Sequence, residues 1–327
     1  MTIPFRVHIM REMEEEQKRY LEDQLGEEVS WTYGESIPEQ ADYQVLVGGR
    51  PTAGLVEASS ALQALIIPWA GVPGSTRTLM EQYPAVSVHN LHHNAVPTAE
   101  LAFTLLLSVA KQVLPFDAAL RENDWQLRYE PSQTWLMKGK TALILGYGEI
   151  GSRVGRYLDA LGMRVRATRK HPPDPPTGSV EVYSAGQLEA LLPEADVLVV
   201  TLPLTPETRG LVGEKELAQL PAGAILVNVA RGPVVDQGAL YSALKTGQLF
   251  GAGLDVWYHY PHAEEERSDT SPADDPFHEL PNVVMSPHRG GSTRETEQLR
   301  MEYLAALLQA AAEGRSIPNQ VDFDRGY

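Results

Sequence analysis

Short apolar runs alternate with helix-like runs twice along this chain, and that alternation decides most of what it can fold into. In the first series Phe5–Met10, Val29–Tyr33, Tyr43–Val47 and Ala64–Pro68 read as strands with turn residues near their ends. Helix-like runs at Met13–Leu25 and Gly54–Ala61 lie between them. The second series starts at Thr141. Its strands are Ala142–Leu145, Arg164–Thr168, Val197–Thr201, Ala224–Asn228, Leu249–Leu254 and Asn282–Met285. Ile150–Leu161, Gln187–Leu192, Glu214–Gln219 and Gln237–Thr246 supply its helices. Strands and helices in turn imply parallel sheets covered by helices, so the fold class is α/β. A long apolar helix at 98–114, opened by Pro97 and Thr98, and a last helix at Thr293–Ala312 read as the two crossings between the series. The expected division is therefore 1–97 with 290–327 for one domain and 98–289 for the other, the second inserted into the first. The acidic stretch His262–Pro276, with its Pro and Ser, reads as a surface loop.

Charge narrows the range of ligands. With 43 acidic and 27 basic side chains the formal charge is −16, which leaves no general footprint for nucleic acid or an anionic membrane. Any anionic ligand has to be held by a few locally placed cations. There is no cysteine, which removes disulfides, thiolate metal sites and a cysteine nucleophile. The N-terminal apolar run Ile3–Met10 meets Glu12–Glu16 at once, unlike a signal peptide, and no stretch reaches the ~18 apolar residues of a membrane span. These features lead us to expect a cytoplasmic protein.

Gly146-Tyr147-Gly148-Glu149-Ile150-Gly151 follows an apolar strand and opens a helix. That context turns a weak G-x-G-x-x-G pattern into a dinucleotide fingerprint. Gly146 permits the tight turn, Gly148 lets a pyrophosphate approach the backbone, and Gly151 lets the helix pack on the strand. The end of the next strand reads Ala167-Thr168-Arg169-Lys170-His171, with no acid before Asp174. An NAD site usually places Asp or Glu there to accept from the ribose. Two cations and a hydroxyl suit a 2′-phosphate instead, so NADP(H) is the expected cofactor and NAD(H) the second choice.

Two further strands run into chemically useful residues. Ala224–Asn228 leads to Ala230 and Arg231, and Val283–Met285 leads to His288. Ligands of open parallel sheets bind beyond the carboxyl ends of the strands. Arg231 suits a carboxylate beside a carbonyl, and His288 suits proton transfer near neutral pH. Together they meet the needs of 2-hydroxy acid/2-keto acid interconversion. His89, His92 and His93 have no supporting carboxylate nearby and no helical spacing, so no metal is expected.

At this point the chain resembles the D-isomer-specific 2-hydroxyacid dehydrogenases over nearly its whole length. That family includes phosphoglycerate dehydrogenase, glyoxylate/hydroxypyruvate reductase and formate dehydrogenase. The resemblance is carried by Asn94–Glu100, Gly146–Gly151, Gly162–Val165, Leu202–Gly210, Val227–Asp236, Gly253–Val256 and Ser286–His288. It implies two flavodoxin/Rossmann-like parallel-sheet domains with a cleft between them, and an enzyme reducing small 2-keto acids such as glyoxylate or hydroxypyruvate. It further implies that Arg231 binds the substrate carboxylate and that His288 is the acid/base. Gly71, Val72 and Asn94 would touch the substrate, Asp255 the nicotinamide carboxamide, and Pro203 and Thr208 the cofactor. A homodimer through the nucleotide-binding domain is implied as well, and the apolar Leu101–Val109 helix suits it.

The sequence departs from the family at one position. Most members carry a glutamate shortly after Leu-Asp-Val that raises the pKa of the histidine. Here Leu254-Asp255-Val256-Trp257-Tyr258-His259-Tyr260-Pro261 places Tyr260 there. Tyr260 might orient His288 through its hydroxyl; Glu264, Glu265 or Glu266 might fold back to supply the charge; or the dehydrogenase chemistry is lost. The alternatives to a reductase are therefore formate-dehydrogenase-like oxidation, suggested by a neutral residue 260, and a dinucleotide-sensing binding protein.

Overall fold

The structure is a computed structural model that describes residues 5–172 and 180–323. Asp174, named above as the first acid after the second strand, lies outside them. The chain divides into two compact units, one running to Asn94 and resuming at Thr293, the other Ala95–Ser292.

The smaller unit holds β1 (Phe5–Ile9), β2 (Val29–Tyr33), β3 (Val45–Val47), β4 (Ala64–Ile67) and β5 (Ser87–Asn90). They form one parallel sheet in the order β2-β1-β3-β4-β5. The chain leaves β1 to one side and returns to the other, so the strand order reverses between β1 and β3. One face of the sheet (Val7, Ile9, Val45, Val47, Ile66) packs on Leu304, Leu307 and Leu308 of the helix Thr296–Ala312. The other, through Leu46, Leu65 and Ile67, packs with Tyr43, Leu55 and Met80. That last helix begins at Thr296 rather than at Thr293, whose N–H donates to the Thr296 hydroxyl at 2.7 Å.

The larger unit holds β6 (Thr141–Leu145), β7 (Arg164–Arg169), β8 (Glu181–Ser184), β9 (Val197–Val200), β10 (Ala224–Asn228), β11 (Leu249–Leu254) and β12 (Val283–Met285). Its parallel sheet runs β12-β11-β10-β9-β6-β7-β8, with the reversal between β6 and β9. β6, β9 and β10 are buried along their whole length, which is why they read as unbroken apolar runs.

The helix expected at 98–114 is two helices. Ala95–Ala110 is the first, Gln112 takes a left-handed φ of 52°, and Val113–Arg121 follows at a bend of 64°. Among the described residues no single helix is long and apolar enough to cross a membrane. The first helix lies directly on β11. A Cβ on Gly253 would stand 2.7 Å from Leu105 and one on Gly251 2.8 Å from Val109, so only glycine permits the approach. Ala102, Leu105, Leu106 and Val109 are buried within the unit, so this stretch is core and not the free surface expected for a partner. The exposed apolar side chains lie in the segment after it, among them Trp125, Tyr129 and Leu136.

Candidate active site

The glycine loop lies at the carboxyl end of β6, beside the reversal of strand order. Gly146 has a φ of +95°, and its N–H and that of Tyr147 both donate to the Thr168 carbonyl, at 3.1 and 3.0 Å. A Cβ on Gly151 would stand 2.1 Å from the Gly146 carbonyl oxygen. A Cβ on Gly148 would meet nothing within 4 Å, so the space before the helix Glu149–Ala160 is open. The N–H groups of that first turn have no carbonyl within the helix to bond. A backbone donor set facing open space, kept clear by glycine, fits a dinucleotide pyrophosphate.

Side chains in this loop serve the protein more than the ligand. Tyr147 packs on Gly155, Ile150 joins the same apolar cluster, and Glu149 pairs with Arg153 at 2.6 Å. Thr168 is buried, so the hydroxyl expected to face a 2′-phosphate is withdrawn, and Thr168 contributes its carbonyl instead. Arg169 and Lys170 are exposed and have no acidic partner among the described residues. Beyond β9, the Thr208 hydroxyl donates to the Pro203 carbonyl at 2.6 Å and closes the turn between them.

Arg231 is carried by a clamped turn beyond β10. Asn228 accepts from the Ala230 N–H at 3.0 Å and donates to the Arg231 carbonyl at 3.1 Å. The Arg231 guanidinium donates to the Ala230 carbonyl at 2.6 Å. A Cβ on Gly232 would stand 2.3 Å from the Trp257 carbonyl oxygen, so this turn abuts the one that follows β11.

His288 sits beyond β12 with a φ of +57°, an uncommon conformation for a residue with a side chain. Asp255, at the end of β11, holds it there. The buried Asp255 carboxylate accepts from the Ser286 hydroxyl at 2.5 Å, the Arg289 N–H at 2.8 Å and the Gly290 N–H at 2.9 Å. The Trp257 indole donates to the Ser286 carbonyl at 2.8 Å. The Tyr260 ring packs against the imidazole, centroids 5.5 Å apart.

This geometry revises the readings of Tyr260. Its hydroxyl accepts the Trp257 N–H at 3.0 Å, and its contact with His288 is through the ring rather than the hydroxyl. Burial raises the Tyr260 pKa, so it stays neutral. Glu264 pairs with Arg267 and Glu266 accepts the His262 N–H, so neither is turned back toward His288. Loss of hydration lowers the His288 pKa, the Arg231 charge lowers it further, and the Asp255 carboxylate opposes both. Asn228, Trp257 and Ser286 were not singled out by the sequence; an asparagine three residues before Arg231 was the one local signal.

In the smaller unit Gly71 and Val72 lie on the turn after β4, and Asn94 on the turn after β5. His89 bonds the Pro318 carbonyl and the Ser87 hydroxyl, each at 2.9 Å. His93 is buried, its Nδ1 has no hydrogen-bond partner, and desolvation lowers its pKa to about 4. Among the described residues no group of three His, Asp or Glu could hold a metal ion.

Comparison with known proteins agrees with this arrangement. Residues 103–290 match the family described as D-isomer specific 2-hydroxyacid dehydrogenase, NAD binding domain. A glyoxylate reductase of Thermococcus litoralis is 38% identical over 235 residues, 69% of this chain and 67% of that protein. One of Aeropyrum pernix is 42% identical over 234 residues, 69% and 66% respectively. The matched stretch thus spans about two thirds of these relatives' length. A D-isomer specific 2-hydroxyacid dehydrogenase of Xanthobacter autotrophicus Py2 superposes with a TM-score of 0.80 at 24% identity, over 99% of this chain and 100% of that one.

Proposed function

The chain belongs to the D-isomer-specific 2-hydroxyacid dehydrogenases, and from that premise we propose that it reduces small 2-keto acids with NADP(H) preferred over NAD(H). Glyoxylate or hydroxypyruvate is the first choice of substrate, as the names of the relatives suggest. The observation that carries the reading is the meeting of Arg231 and His288 at neighbouring turns, near enough for the arginine charge to act on the imidazole.

When bound, the nicotinamide dinucleotide gives or takes the hydride. Everything else falls to the chain. The first turn after Gly148 holds the pyrophosphate, and Arg169 with Lys170 holds a 2′-phosphate. Arg231 grips the substrate carboxylate and polarises the adjacent carbonyl. His288, as imidazolium, donates its proton to the oxygen on C2 in reduction and takes it back in oxidation. Asp255 keeps the His288 turn in place. Gly71, Val72 and Asn94 are assigned to the substrate on the family resemblance.

A homodimer is part of the proposal. Val113, Leu114, Leu120, Trp125, Tyr129 and Leu136 are exposed within one short segment, and Tyr129 and Leu136 reach 78% and 71% exposure. So many large apolar side chains together suit a surface that a second copy covers.

The test is initial-rate oxidation of NADPH, with NADH as control, against a panel of 2-keto acids. Turnover faster with NADPH supports the assignment. Dinucleotide binding without turnover overturns it and favours a dinucleotide-sensing binding protein. Formate oxidation is the second enzymatic reading, favoured by the neutral side chain of Tyr260.

A further inference from the structure

The smaller unit contains a cavity of about 310 Å³ that the assignments above do not use. It lies beyond the carboxyl ends of β1, β3 and β4, at the place where the order of that sheet reverses. Open parallel sheets bind their ligands at such a point. Met10 and Arg11 enter it from the turn after β1, Gly48-Gly49-Arg50 from the turn after β3, and Trp69 from the turn after β4. A Cβ on Gly49 would stand 2.0 Å from the Trp69 ring, and one on Gly48 2.2 Å from the Met10 sulfur. The two glycines therefore let an aromatic ring and a thioether wall the space.

The charge of the lining is unusual for this chain. Arg11, Arg50 and Arg300 face one acid, Glu35, in a protein of net charge −16. Arg300 and Arg11 share Glu297, at 2.5 and 3.9 Å. Arg300 keeps a buried Nε–H without an acceptor, and Arg50 makes no ion pair among the described residues. Arg50 is thus a cation left for a ligand. Because β3 pairs with β4 in register, the Arg50 turn runs beside the turn that carries Gly71 and Val72.

We propose that this cavity takes the far end of the substrate and that this end is acidic, so that the preferred 2-keto acids carry a second carboxylate and Arg50 selects for it. The inference rests on the reductase reading and on the assignment of Gly71 and Val72 to the substrate. An apolar wall with one unpaired guanidinium suits a short methylene chain ending in a carboxylate.

The experiment compares kcat/KM for 2-oxoglutarate with that for 2-oxopentanoate, its analogue without the distal carboxylate, using NADPH. The unsubstituted protein is expected to favour the diacid. Arg50→Gln should lower the diacid-to-monoacid ratio about tenfold or more, the scale of one charge-assisted contact, and Arg50→Lys should lower it less. A ratio unmoved by Arg50→Gln, or a preference for the neutral chain, overturns the proposal. Calorimetric titration of the full chain with glutarate separates the two readings. If no 2-keto acid is turned over but glutarate binds and Arg50→Gln abolishes it, the anion site stands and the reductase assignment falls. If glyoxylate is turned over and neither glutarate binding nor the ratio depends on Arg50, the site falls and the reductase assignment stands.

Discussion

The Tyr260 ring lies against the His288 imidazole with centroids 5.5 Å apart and planes inclined by 56°, while its hydroxyl is occupied by the Trp257 N–H. His288 therefore has a neighbour that restrains the ring and brings no charge. The charged groups acting on it are Arg231 and Asp255, and its pKa is lowered from the ordinary value.

The sign of the pH dependence follows. Reduction needs imidazolium, so it declines as pH rises through the lowered pKa. Oxidation needs the neutral ring and grows over the same range. Tyr260→Glu would place a carboxylate at the ring, favour imidazolium and move the decline of the reduction rate to higher pH. Tyr260→Phe would leave that limb in place. The measurement is the pH profile of kcat/KM for keto acid reduction. An unmoved limb in the Glu variant would show that residue 260 has no electrostatic hold on His288.

Asp255 is expected to matter through the turn it holds. Asp255→Asn leaves one acceptor oxygen where two carboxylate oxygens take three hydrogen bonds. A buried N–H left without an acceptor costs about 1–3 kcal/mol, which denaturant unfolding would register. The misplaced His288 should lower kcat by about a hundredfold. If kcat falls without any loss of stability, Asp255 acts on the ligand directly rather than by holding the turn.

Cofactor choice is expected to reside in Arg169. Arg169→Gln removes a fork-shaped donor from the end of β7 and should lower kcat/KM for NADPH about 10- to 100-fold relative to NADH. Equal losses with both cofactors would place the 2′-phosphate elsewhere.

The exposed segment after Gln112 is expected to hold the dimer. Tyr129→Asp with Leu136→Asp would put two charges on that surface, and analytical ultracentrifugation should show the monomer gaining at least tenfold in dissociation constant. A protein that sediments as a monomer without substitution would refute the assignment of this segment.

The sequence made the sheets legible where strands are buried on both faces, as at Thr141–Leu145 and Ala224–Asn228. It hid the strand Ser87–Asn90, whose His89 is satisfied by Pro318, 229 residues away. Edge strand Glu181–Ser184 was hidden too, because its polar side chains face solvent. The break at Gln112 was missed because glutamine gives no signal for a left-handed turn. In the site, Arg231 and His288 were visible because each follows an apolar strand directly. The bonds that hold them were not, since Asp255 reaches residues 31 to 35 positions away.

The discontinuous smaller unit also sets an order of events at the ribosome. Val7, Ile9, Val45 and Ile66 close their core on Leu304, Leu307 and Leu308. Between Asn94 and Thr293 the whole larger unit must be made. At about 5–20 residues per second, the roughly 200 intervening residues take about 10–40 s. For that interval the nascent sheet has an apolar face with nothing to cover it. The continuous larger unit is free to fold first. The N-terminal third, synthesised earliest, reaches its native state last, and during that delay it is the part of the chain most in need of a chaperone.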